Sequence, residues 1–129
     1  MTMQQLIKQN SIRLVYNRTD QNPHMDDFEG DHYRVTLKRP GRRMTLVFSK
    51  GFGHKGAPPA VVEILECLQS DARIAEDCAS FEGFCSDLGY NSDSRRAEKT
   101  YKALKRQAAK LQKFFGDLYE DFLDCEEED

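Results

Sequence analysis

Apolar positions in this chain keep two different rhythms. Between residues 33 and 49 the rhythm is two. Tyr33, Val35 and Leu37 are separated by Arg34 and Thr36, and Met44, Leu46 and Phe48 are set apart by Thr45 and Val47. Side chains of a strand point to opposite faces in turn, so each run predicts a strand with one buried face. Arg39, Pro40, Gly41 and Arg42 join the runs. Proline fixes φ at the second turn position and glycine accepts the positive φ that a type II turn needs at the third. This predicts a hairpin. Ile12, Leu14 and Tyr16 likewise share one face of a strand expected over 12–17, preceded by a short helix over 3–9. The stretch 17–31 reads as a polar loop.

After residue 60 the period becomes helical. Val61, Ile64, Leu65, Leu68, Ala72 and Ala75 recur on one helix face. A shorter helix is expected over 81–88, opened by Ser80 and closed by Gly89, with Ser92 or Asp93 capping a long last helix. In that helix Ala97, Tyr101, Leu104, Ala108, Leu111, Phe115, Leu118 and Phe122 follow alternating steps of four and three, a heptad seam. The flanking positions lack the opposite charges of a dimeric coiled coil. Phe114 and Tyr119 widen the stripe instead, as packing onto the chain's own elements requires. Gly116 costs about 1 kcal/mol inside a helix. The run 114–117 (FFGD) could equally end one helix and cap a second, but the apolar phase continues past it, which favours one helix with a bend.

Charge changes the picture. Residues 94–113 hold eight bases and one acid, Glu98, whereas 114–129 hold eight acids and no base. A helix favours acids at its N-terminus and bases at its C-terminus, so one helix carrying this order would not owe it to its own stability. A surface for a partner is the expectation. Arg95, Arg96, Lys99, Lys102, Arg106, Lys110 and Lys113 occupy the outward heptad positions. They form a row about 27 Å long at 1.5 Å per residue. A surface made only for solubility mixes signs. Arg39, Arg42 and Arg43 at the hairpin tip, with Lys38 and Arg34 below, form a second basic cluster of the kind that follows a phosphate backbone.

At 129 residues the chain fits one α+β domain over 1–124: a small antiparallel sheet of about three strands with a central hairpin, packed against helices, and an acidic frayed tail over 125–129. There is no apolar run of membrane length and no leader pattern, so a cytoplasmic protein is expected. Cys67, Cys78, Cys85 and Cys125 lack zinc or redox spacing and read as small buried hydrophobes. His24, Asp26, Asp27, Glu29, Asp31 and His32 crowd one loop but match neither a calcium loop nor a zinc site. The stretch 51–56 (GFGHKG) lacks the phosphate-loop pattern. No catalytic residue, metal or cofactor is called for, and no enzyme is expected.

Several blocks together carry a resemblance. The runs 31–37 (DHYRVTL), 44–49 (MTLVFS), 53–56 (GHKG), 67–72 (CLQSDA), 80–82 (SFE), 89–90 (GY) and 93–101 (DSRRAEKTY) resemble, in that order, a family of small uncharacterised proteins of tailed bacteriophages and prophages. The likeness covers 20–115. It implies no catalytic residues. It implies a setting, a bacterial host cell, in which accessory proteins such as anti-CRISPRs bind and disable a host system. Two functions are therefore expected. One is an anti-CRISPR-like inhibitor that binds a host protein or nucleoprotein complex through Asp117, Glu120, Asp121 and Asp124. The other is nucleic-acid binding through the helix row and the hairpin. Either suits a monomer or a homodimer away from membranes.

Overall fold

The computed structural model describes residues 1–19, 30–51 and 60–126, with side chains for 1–15, 34–47 and 60–126. The fold is α+β: among the described residues there are one three-stranded antiparallel sheet, five α-helices and a short 3-10 turn. It divides into two compact units, one formed by Met1–Glu66 with Cys125–Asp129, the other by Cys67–Asp124. The loop holding His24, Asp26, Asp27 and Glu29 lies outside the described residues, as does most of the 51–56 stretch.

The first unit opens with α1 (Met3–Gln9). Thr2 starts it with a reciprocal cap: its Oγ1 accepts from Gln5 N at 3.2 Å, and its own N–H donates to Gln5 Oε1 at 2.9 Å. Asn10 ends it by donating from Nδ2 to the Leu6 carbonyl at 3.0 Å. Ile12 N still bonds the Ile7 carbonyl at 3.0 Å, so β1 runs Arg13–Thr19 and starts one residue later than the alternation suggested. Ile12 is buried all the same.

The sheet order is β1-β2-β3, with β2 (Gly30–Arg39) between β1 and β3 (Arg42–Gly51). Arg39 pairs with Arg42 around Pro40 and Gly41, and Gly41 takes φ 77°, as the turn chemistry requires. Val35, Leu37 and Met44 are buried and Leu46 is half-buried. On the other face Thr36 and Thr45 stand opposite each other, their hydroxyls 2.9 Å apart. Met3, Leu6, Ile64 and Leu65 complete the buried apolar set of this unit. The chain returns at its end. Glu126 N donates to the Met1 carbonyl at 2.8 Å, Thr2 and Glu126 form a parallel bridge, and Cys125 is buried. Cys125 and Glu126 thus belong to the fold rather than to a frayed tail.

The second unit holds most of α2 (Val61–Asp77), then α3 (Phe81–Leu88) and α4 (Arg95–Phe115). Ser80 Oγ accepts from Gly83 N at 3.1 Å, and Gly89 closes α3 in the left-handed region at φ 76°. Cys78, Phe84, Cys85 and Ala97 form a buried cluster with Ile74, Phe81, Tyr101 and Leu104 against it. The Tyr101 ring lies 5.1 Å from Phe84 and 5.7 Å from Phe81.

In this second unit two boundaries differ from those the sequence predicts. The cap of α4 is Ser94, not Ser92 or Asp93: its Oγ accepts from Ala97 N at 3.2 Å. Asp93 N is taken by Asn91 Oδ1 at 3.0 Å, which holds the preceding residues in a turn. The second correction concerns Gly116. It adopts φ 55°, ψ −123°, and α4 stops there. A 3-10 turn (Gly116–Leu118) and a short α5 (Tyr119–Leu123) follow. The apolar phase survives the break. Leu111, Phe114, Phe115, Tyr119 and Phe122 are all buried, and Phe115 and Phe122 stack at 4.3 Å. Burying each of these phenylalanines contributes on the order of 2 to 3 kcal/mol.

Candidate nucleic-acid interface

The seam of α4 is occupied by its own unit, which fixes what the opposite side shows. Arg95, Arg96, Lys99, Lys102, Arg106, Lys110 and Lys113 are all exposed. Lys102 meets Glu98 at 2.9 Å, one turn apart, with both side chains more than half in water. Such a pair is worth under about 1 kcal/mol and leaves the row strongly positive.

The eighth base of this helix does something else. Lys105 Nζ donates to the Ala75 carbonyl at 2.7 Å and sits 5.5 Å from the centre of the Tyr101 ring. Ala75 lies in the last turn of α2, which has no base of its own there, so Lys105 supplies the positive charge that a helix C-terminus favours. Gln107 Nε2 donates to Asp71 Oδ2 at 3.0 Å and ties the same two helices. Lys105 and Gln107 are structural ties between α2 and α4.

Splitting the last helix changes the meaning of the acids. Asp117 falls in the first turn of the 3-10 segment, and Glu120 and Asp121 in the first turn of α5. Acids there are favourable, so the reversed-dipole argument fails for them. It survives at the start of α4, where Arg95, Arg96 and Lys99 oppose the dipole. Asp117, Glu120, Asp121 and Asp124 are nonetheless exposed. The α5 helix, which carries Glu120 and Asp121 between the other two, is fixed from α2: Gln69 Nε2 donates to the Phe122 carbonyl at 3.0 Å, and Arg73 bonds the Leu123 carbonyl.

In the first unit the hairpin end is basic as expected, and the register adds a residue that the alternation did not show. Arg13 pairs with Lys38, and Lys38 with Arg43. Together with Ser11, Arg39, Pro40, Gly41 and Arg42 they line an open groove of about 530 Å³. Five of its eight described lining residues are basic and none of these eight is acidic, so the groove is positively charged. Arg13 escaped the sequence reading because its place depends on the offset between β1 and β2.

Among the described residues two groups titrate away from their ordinary ranges. Burial pushes the Cys78 thiol up, helped by the carboxylates of Asp87 and Asp77. Burial also raises the Tyr119 phenol, helped by Glu76, whose Oε1 lies 3.5 Å from the hydroxyl. Both stay neutral and neither is an activated nucleophile. Among the described residues no group of three or more His, Cys, Asp or Glu side chains could hold a metal ion. Among them, too, no helix is long and apolar enough to cross a membrane. No protein-family model matches the chain, and no curated protein or solved structure does.

Proposed function

We propose that this is a non-enzymatic accessory protein, acting in the cytoplasm of a bacterial host, that works by binding the phosphate backbone of nucleic acid. The observation that carries the reading is the outward row of α4, seven exposed bases opposite a buried seam. The basic hairpin end with Arg39, Arg42 and Arg43 supports it. Lysine and arginine ordered in this way neutralise successive phosphates and release counterions, so affinity falls steeply with salt. The resemblance to bacteriophage proteins supplies the setting.

A mobility-shift series with duplex and single-stranded DNA across rising salt tests the reading. A shift at low salt that weakens steeply supports it, and charge reversal of Lys99, Lys102 and Arg106 abolishes the shift. No shift at low salt overturns it.

One observation favours a second reading, an anti-CRISPR-like inhibitor of a host defence or nucleoprotein complex. Asp117, Glu120, Asp121 and Asp124 are exposed on a segment that Gln69 and Arg73 hold in place. A fixed acidic surface suits a basic protein groove that normally takes nucleic acid. In a pull-down from bacterial lysate, this reading expects a host complex that is lost when those four acids are neutralised and kept when the α4 bases are.

A further inference from the structure

Arg13, Lys38 and Arg43 stand in one row across all three strands, each the register partner of the next. Directly paired residues of antiparallel strands carry their side chains on one face. The β1 irregularity falls beyond the row, between Tyr16 and Arg18, and leaves it intact. Neighbouring strands lie about 4.8 Å apart, so the three cations hang from backbone positions spanning only about 10 Å. Like charges placed directly opposite destabilise a sheet. None of the three forms an ion pair with a described residue. The row therefore carries a repulsion that no carboxylate of the described residues relieves.

We propose that this row is a seat for a phosphate group of a nucleic-acid strand, internal or terminal. Lys38 lies beneath the group, and the arginines reach it from the flanking strands. Two forked guanidiniums and an ammonium match a tetrahedral anion with several free oxygens. A carboxylate, with two oxygens and one charge, would leave most of the row uncompensated. The inference rests on the nucleic-acid reading but places a defined contact in the sheet, apart from the α4 row.

The test uses the full chain, short labelled oligothymidines with a terminal phosphate or a terminal hydroxyl, and inorganic phosphate against chloride at matched ionic strength. Lys38→Gln, Arg13→Gln and Arg43→Gln should each weaken oligonucleotide binding severalfold and reduce the salt slope by about 1. Each should also raise the unfolding midpoint of the ligand-free protein, because a like-charge neighbour is gone. Inorganic phosphate should raise the midpoint of the parent and not of the triple variant. A seat for the strand end makes the terminal phosphate matter as much as Lys38, and a seat for an internal phosphate makes both probes equal.

The seat is overturned if Lys38→Gln keeps parental affinity and slope, or lowers the ligand-free midpoint as a structural residue would. If α4 variants lose binding while row variants keep it, the function stands and the seat falls. If no oligonucleotide binds even the parent, the function falls. The seat is then decided by inorganic phosphate: a midpoint rise lost in the triple variant keeps it, and an equal rise removes it.

Discussion

Arg73 donates from both Nε and Nη2 to the carbonyl oxygen of Leu123, at 3.0 and 2.8 Å. A helix leaves its last carbonyls without intrahelical partners, and α5 is too short to hold itself together. Side chains fifty residues away in the chain do this work, with Gln69 beside Arg73. Arg73→Ala should cost about 1 to 2 kcal/mol in urea unfolding, the value of a charge-assisted bond at a partly wet site. Arg73→Lys should recover part of that, since one ammonium cannot reproduce the forked contact.

Gly116 and Gly89 should respond differently to the same replacement. Gly89 sits at φ 76°, ψ 20° with open space where a Cβ would be, a conformation asparagine accepts. Gly116 sits at φ 55°, ψ −123°, outside the left-handed helical region. Gly89→Asn should leave the unfolding midpoint within a degree or two of the parent, a few tenths of a kcal/mol. Gly116→Asn should lose about 1 to 3 kcal/mol. Equal losses at both sites would refute the assigned backbone.

Thiol chemistry reads out the cores. Cys67 is exposed while Cys78, Cys85 and Cys125 are buried. In the folded protein a disulfide reagent should label Cys67 fast and the other three only on unfolding. Cys78 should be slow for a second reason, because burial keeps it protonated. Rapid labelling of Cys125 would contradict its place in the first unit.

Alkaline pH should destabilise the second unit through Tyr119. Its folded pKa is raised above the ordinary 10.0. Below that value both states hold the proton and the contribution is complete. Above it the unfolded chain ionises first, so stability falls as pH rises toward the folded pKa. Tyr119→Phe should flatten this limb in unfolding measured from about pH 9 upward, at little cost at neutral pH because the bond to Glu76 is long.

Local chemistry made much of the fold legible. Ser80 and Gly89 bound α3 as the sequence indicates, because a cap and a left-handed stop act over four residues. Pro40 and Gly41 set the hairpin in the same way. The break at Gly116 is one of two readings open in the sequence, and continuity is favoured there because the apolar spacing runs through it unchanged and side-chain periodicity is blind to one backbone torsion. The bases of α4 could be placed outward from the heptad alone. The Arg13, Lys38, Arg43 row could not, since a one-residue slip of β1 would turn Arg13 to the other face. Lys105, by contrast, flanks the seam and stands outside that row, but spacing along one helix could not show its bond to Ala75 on another.

Glu126 bonded to Met1 has a consequence for how the protein is made. Domains emerging from the ribosome ordinarily fold in order, the N-terminal one first. Here the first unit includes residues that follow the entire second unit. During synthesis the sheet hairpin and the helical unit can form as they emerge, but the opening segment must wait for Glu126 to be translated before its bridge exists. A released chain truncated before Cys125 should therefore hold a folded helical unit and an unfinished first one.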